Sequence, residues 1–283
     1  MRHRIEAVKN MVISDTWNPT QYEKFQAERS RPFYDLVNMV RSQEGMRVLD
    51  LGCGTGKLTK YLHETTAARE TIGLDASEKM LQAAREFEGH GLRFEQGRIE
   101  ENSVQGKFDL VFSNAALQWV TGHEVLFEKL RAKLQLGGQL AVQVPAMDSE
   151  PVHTVAAEVA QEFSQELGGY VRRLEVLSPE KYARLLYKLG FVEQEVRLQI
   201  YGHVLPSREA VIEWYRGTLL TAYEQQLDTE TYERFIQRYR EKLMEYLEDE
   251  SPFFFPYKRI LIWGRLSVCC GFDANSLPLS PDV

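Results

Sequence analysis

The chain has 283 residues, 43% of them hydrophobic, and a formal charge of −7. That length holds one large domain, or a domain with a cap, around a sizeable core. An acidic balance without a long basic run argues against a nucleic-acid binder or an anionic-membrane binder, but leaves room for a small positive pocket.

In chain order, residues 1–41 are polar and helical in pattern, and Pro32 is placed to start a second helix. Arg47–Leu51 is a short apolar run that ends in a glycine cluster, the pattern of a buried strand. Lys57–Glu64 reads as a helix. Thr71–Asp75 is a second strand, followed by a helix over Ser77–Phe87 with Ser77 as its N-cap. Leu92–Gln96 and Phe108–Ser113 are the third and fourth strands. A helix over Glu124–Leu134 is expected to stop at Gly137 and Gly138, before a fifth strand at Gln139–Val144. Beyond residue 150 the order changes: a helical stretch (151–188), a strand near Val192–Tyr201, a helical block (207–248) and a last strand at Tyr257–Trp263. Alternation of strands and helices implies an α/β fold with a parallel sheet covered on both faces. The two late strands suggest an antiparallel finish, with helical insertions forming a cap. The tail from Ser267 reads as loose. No stretch reads as a signal peptide, and no run approaches the ~18 apolar residues of a membrane span. Three cysteines, Cys53, Cys269 and Cys270, form neither a disulfide framework nor a zinc site. No metal is expected, and a reducing cytoplasm fits best.

The chemistry concentrates at the glycine turn Val48–Gly56. Such a turn between a parallel strand and a helix lets backbone amides approach a ligand closely. A dinucleotide site needs Gly-x-Gly-x-x-Gly. Here Gly52, Gly54 and Gly56 alternate with single residues, and no Gly-Lys-Ser/Thr is present for a triphosphate. Asp50 precedes the glycines directly. A carboxylate there repels phosphate but attracts the ammonium and sulfonium of S-adenosylmethionine. Asp75, with Ala76 after it, ends the second strand, where an acidic residue accepts from ribose hydroxyls in sheets of this kind. Ser113 and Asn114 end the fourth strand at the switch point. Cys53 reads as a small residue that fits inside the turn.

The segments VLDLGCGTG, GLDAS and FDLVFSNAALQWV resemble the motifs of class I S-adenosylmethionine-dependent methyltransferases, in order and spacing, over residues 47–145. The resemblance implies a Rossmann-like, mostly parallel, seven-stranded sheet with helical cap insertions. It divides the chain into an N-terminal cap segment (1–41), a cofactor-binding core (42–145), cap insertions with the final two strands (146–266) and a tail (267–283). One position departs from many relatives. Where an acidic residue follows the third strand and contacts adenine, this chain has Arg98, which cannot accept a hydrogen bond. The adenine contact then falls to the backbone around Arg98 and Ile99, or to Glu100.

The flanks resemble trans-aconitate methyltransferases: Trp17 to Pro32, including Tyr22, Arg29 and Arg31; Ser113 to Trp119; Glu213 to Thr218; and Phe255 to Arg259. That implies methylation of a carboxylate on a small polycarboxylic acid. Substrate candidates are Tyr22, Arg29, Trp119, Arg216 and Tyr257, with Arg31, Tyr215 and Arg259 as further arginine forks and phenols. Alternation around Lys258 and Arg259 suggests that only one of them faces inward. A carboxylate is ionised near neutrality, so no base is required. An acceptor that must be deprotonated would call on His123 or His153. A carrier-protein-bound malonyl group is another acceptor of the same chemistry, and a non-catalytic cofactor-binding partner protein is the alternative of a different class. No nucleic-acid or membrane partner is expected.

Overall fold

Uncharged or nearly uncharged runs at Val48–Leu51, Thr71–Leu74 and Leu110–Ser113 are almost wholly buried, which is what a strand covered on both faces requires. In the computed structural model, residues 26–101, 103–173 and 175–268 are described, with the side chains of 26–29 excepted. Seven strands form one sheet: β1 (Arg47–Leu51), β2 (Glu70–Asp75), β3 (Leu92–Gln96), β4 (Phe108–Asn114), β5 (Leu134–Pro145), β6 (Phe191–Leu205) and β7 (Phe253–Leu266). Their order is β3-β2-β1-β4-β5-β7-β6. β1 to β5 pair in parallel, and β7 runs antiparallel between β5 and β6. The chain leaves β3 at one edge and re-enters beside β1 as β4, so the switch point falls between β1 and β4.

Helices cover both faces. α1 (Gln26–Val37) and α2 (Lys57–Thr65) pack Phe33, Leu36, Val37 and Leu62 against Phe112, Ala141 and Trp263. α3 (Glu78–Ala84) follows β2, and the Met80 amide donates to Ser77 Oγ at 3.2 Å, so Ser77 is its N-cap as the sequence indicates. α4 (His123–Lys133) covers the opposite face, together with α6 (Pro179–Lys188). A separate core forms the cap: α5 (Pro151–Glu162), α7 (Ala210–Arg216), α8 (Thr221–Glu224) and α9 (Thr229–Leu243) close over Phe253, Phe255 and Tyr257 of β7. Stacked and edge-on rings knit it together, among them Tyr223–Phe235 at 4.7 Å and Phe163–Phe235 at 5.5 Å. Among the described residues no helix is long and apolar enough to cross a membrane.

Several boundaries differ from the sequence expectation. Pro32 lies inside α1 instead of starting a second helix. The buried Phe33, Leu36 and Val37 all follow it, so the packed part of α1 is the part after the proline. Gly137 and Gly138 do not stop α4, which ends at Lys133; they lie inside β5, where the pairing with β4 shifts register. A Cβ at Gly138 would stand 2.9 Å from the Gln135 carbonyl oxygen, so the bulge itself calls for glycine there. The 151–188 stretch is two helices with an irregular segment between them. β6 and β7 are longer at both ends than their apolar centres suggested, because the β6–β7 ladder runs without a break from Glu193–Arg265 to Leu205–Phe253.

Candidate active site

A cavity of about 710 Å³ opens at the carboxyl ends of β1, β2 and β4 and continues beneath the cap. Its size suits a small-molecule site. Its floor is the glycine turn. Gly52, Gly54 and Gly56 all have φ between +56° and +77°, in the left-handed region. They serve different ends. A Cβ on Gly52 would sit 2.2 Å from Ala116 Cβ, and one on Gly56 would sit 2.7 Å from both Ala84 and Phe94. Nothing lies within 4 Å of one on Gly54. Gly52 therefore seats the turn against the β4 loop. Gly56 is not on the cavity wall; it lets α2 start against α3 and β3. Gly54 is where the backbone is bared to the cavity.

Asp75 fixes that turn. Its Oδ2 accepts from the Gly54 amide and its Oδ1 from the Ser77 amide, each at 2.9 Å. Asp50 lies deeper, 4% exposed, and accepts from Thr59 Oγ1 at 2.6 Å. Burial pushes its carboxyl up to about 7, opposed by the Thr59 hydrogen bond and assisted by the nearby Asp75 charge. Burial strips water from that carboxylate, so its charged form lacks solvation there. Asn114, at the end of β4, lines the same cavity, and among the described residues its buried Oδ1 has no hydrogen-bond partner. An orphan acceptor there awaits a donor. Ala115 follows with φ +54°, an uncommon conformation for a residue with a Cβ. Ala76, Arg98, Ile99 and Glu100 line the far end. Arg98 turns to Glu100 at 3.3 Å.

The sequence reading is corrected at Ser113. It is fully buried, and its hydroxyl donates to the Leu51 carbonyl at 2.8 Å, tying β4 to β1 instead of reaching the cavity.

Trp119 forms part of the wall under the cap, and the Arg172 guanidinium stacks 4.3 Å from its ring centroid. Arg172 escaped the sequence reading. Its segment, between α5 and α6, has no periodicity to place it; Gly168, Gly169 and Tyr170 signal only a turn. Burial pulls its pKa below the usual arginine value, and among the described residues its buried Nε has no hydrogen-bond partner. Arg216, at the end of α7, lines the same cavity but faces Glu213 at 3.3 Å and Glu233 at 3.8 Å. Tyr22 lies outside the described residues, as does the side chain of Arg29. Arg31 reaches the Tyr201 ring, 5.8 Å away.

Tyr257 does not line the cavity. It is buried against Trp214 and Phe255, and carries the Arg259 guanidinium 4.7 Å from its ring centroid. Of the Lys258–Arg259 pair, Arg259 is the inward one, 5% exposed, while Lys258 pairs with Glu150 at 2.5 Å. Both ring nitrogens of His123 are engaged, Nδ1 with Tyr182 OH at 2.6 Å and Nε2 with the Leu117 carbonyl at 3.0 Å. It braces the β4 loop to α6. His153 stands edge-on to Tyr215 and off the cavity wall; burial and the Arg172 charge lower its pKa to about 4.

Comparison with known proteins agrees with this geometry. Residues 42–189 match the family model described as a methyltransferase domain. A trans-aconitate 2-methyltransferase of Deinococcus radiodurans is 41% identical over 87% of this chain and 96% of its own length. The enzyme of that name from Escherichia coli is 34% identical over 88% of this chain and 98% of its own. A solved structure of a putative methyltransferase from Bacillus halodurans superimposes with a TM-score of 0.58 at 16% identity, covering 83% of this chain and 98% of that one, and so shares the fold. The chain belongs to the methyltransferase-domain family, as a class I, S-adenosylmethionine-dependent enzyme of the trans-aconitate methyltransferase type.

Proposed function

We propose that the enzyme methylates a carboxylate of a small polycarboxylic acid of the trans-aconitate class. The observation that carries this reading is Arg172, a guanidinium with an unpartnered Nε stacked on Trp119 in the cavity that the glycine turn floors. A planar guanidinium in a half-dry wall suits a carboxylate better than any neutral acceptor. The names of the relatives at 34–41% identity support the same class.

In this reading Gly54 and Asp50 hold the methionine end of S-adenosylmethionine, Asn114 Oδ1 accepts from its ammonium, and Asp75 takes the ribose. Bound there, the cofactor would supply an activated methyl group on positive sulfur for transfer to a carboxylate oxygen. The protein contributes orientation and dryness. Trp119 and the cap exclude water, and Arg172 holds the acid by a carboxylate. No general base is needed for an acceptor that is already an anion. Neither histidine is placed as one: His123 is consumed in two contacts and His153 is off the cavity wall. With both substrates saturating, kcat is expected to stay flat from about pH 7 to 8.5. A free, buried Cys53 in the turn suits a reducing compartment, and we place the enzyme in the cytoplasm.

The deciding experiment incubates the enzyme with S-adenosylmethionine and a panel of mono-, di- and tricarboxylic acids, then reads products by mass spectrometry. A gain of one methyl on a polycarboxylate is expected. Methylation confined to amines, phenols or carrier-bound malonate would overturn the assignment.

A further inference from the structure

Among the described residues, Asn114 Oδ1 is a buried acceptor without a hydrogen-bond partner on the cavity wall. Further along the sheet Arg259 Nε and Gln143 Nε2 are buried donors without a partner, and the buried Tyr215 hydroxyl beside them turns to the Tyr257 phenol. All three residues are at most 5% exposed. The Arg259 Nη1 donates to Gln143 Oε1 at 3.2 Å, which leaves the Gln143 amide nitrogen unused. Tyr215, at the end of α7, stands beside the Tyr257 phenol that carries the guanidinium. Among the described residues no carboxylate comes within 4.0 Å of Arg259, although the cationic side chains Arg47, Arg208, Arg238, Lys242 and Lys258 all have one. A buried guanidinium without a counter-anion is an unfavourable thing for a fold to keep unless an anion visits it.

The sheet register sets this group beside the cavity wall at Asn114, although none of the three residues lines the cavity itself. Asn114 of β4 lies opposite Gln143 of β5, and Arg259 of β7 lies opposite Pro145, two residues along from Gln143. Residues 110, 112, 141, 261 and 263 pack on the α1 face, so Asn114, Gln143 and Arg259, which share their parity, belong to that face as well. They make a polar row across the carboxyl ends of β4 and β5 and the middle of the antiparallel β7. Two strand spacings, about 10 Å, separate its ends.

We propose that Arg259, Gln143 and Tyr215 form a second carboxylate subsite, which takes an acceptor carboxylate remote from the one that receives the methyl group. It rests on the polycarboxylate reading above. Arg172 then governs the end near the cap mouth, and Arg259 the end over β7. The acid is held at two points, so one carboxylate is selected for methylation. The subsite makes the enzyme prefer acids with at least one carboxylate to spare.

The test is calorimetric titration of trans-aconitate into the protein saturated with S-adenosylhomocysteine, which reads binding without turnover. Gln143→Glu sets an internal carboxylate against Arg259 and keeps the core packed; Arg259→Lys keeps the charge and loses the fork. Both are expected to weaken trans-aconitate binding by about tenfold or more while S-adenosylhomocysteine affinity stays within about twofold. In turnover the same variants should raise KM for the tricarboxylate far more than they change kcat. A monocarboxylate of similar length should lose little in either variant. Wild-type protein that binds the acid without methylating it overturns the acceptor reading and keeps the subsite. Variants that bind as tightly as wild type overturn the subsite alone. No binding by the wild type overturns both.

Discussion

The two ends of the cavity are built from different material. The cofactor end is mostly backbone: a turn of three glycines, amides tied to Asp75, and short side chains at the tips of β1, β2 and β4. The end under the cap is side chain: Arg172 from an irregular segment, Arg216 from α7 and Trp119 from the β4 loop. Backbone recognition ties a ligand to a local sequence pattern, because the φ angles and close approaches demand particular residues. Side-chain recognition asks only that a guanidinium arrive from somewhere. One end is therefore constrained to a motif, and the other is free to change with the substrate.

Substitutions can break or sharpen that contrast. The largest effect is expected from Asp75→Ala, which removes a charged acceptor and frees the Gly54 amide together. S-adenosylhomocysteine affinity should fall by about 100-fold or more by calorimetry; an unchanged constant would remove Asp75 from the cofactor site. Next, Arg172→Ala should raise the acceptor's KM by about tenfold or more and leave cofactor affinity nearly unchanged. If both constants moved together, the two ends would not be separable. Third, Gly52→Ala forces a Cβ into Ala116 at a positive φ, whereas Gly54→Ala meets only the φ strain. Thermal unfolding should show a loss of roughly 5–10 °C for Gly52→Ala and clearly less for Gly54→Ala, whose defect should appear in cofactor binding.

A smaller, pH-linked effect comes from Asp50. Its folded pKa is raised from 3.8 to about 7, so the folded state holds its proton more tightly than the unfolded chain. By linkage, Asp50 favours the apoprotein at low pH, and that contribution is lost as pH rises from about 4 through about 7. A cationic ligand reverses the preference. The thermal stabilisation by S-adenosylmethionine should thus be greater at pH 8 than at pH 5.5; a gain that is equal at both would show that Asp50 does not face the cation. The smallest effect is expected from Arg216→Ala. Glu213 and Glu233 already balance that charge, so the acceptor's KM should rise about two- to threefold at most.

The cofactor end was legible in the sequence because its constraints are local. Asp50, Gly52, Gly54, Asp75, Ala76, Arg98, Ile99 and Asn114 all gather at one cavity. The errors have physical reasons. Ser113 has a polar atom at a strand end, yet that atom faces the neighbouring strand. Gly137 and Gly138 serve a bulge in β5, and a glycine pair carries the same letters in either role. At the acceptor end, Trp119 and Arg216 reach the cavity wall and Tyr257 does not, because β7 turns its ring under Arg259. Arg172 had no pattern around it, since what places it is the cap's packing with residues more than fifty positions away, such as Tyr223, whose hydroxyl accepts from the Arg172 amide at 3.3 Å.

The polar row on the α1 face has one more consequence. One strand beyond Asn114, on β1, lies the buried carboxyl of Asp50, and the row's other end is the buried guanidinium of Arg259. On the proposed reading the pocket is an electrical gradient as well as a shape. A positive donor and a negative acceptor each find the matching pole, and the two arriving charges also attract each other. Transfer then extinguishes both charges at the reacting centre at once, one becoming a thioether and the other an ester. The poles that gathered the reactants lose their hold at those atoms, so the departure of products is prepared by the same arrangement that ordered their arrival.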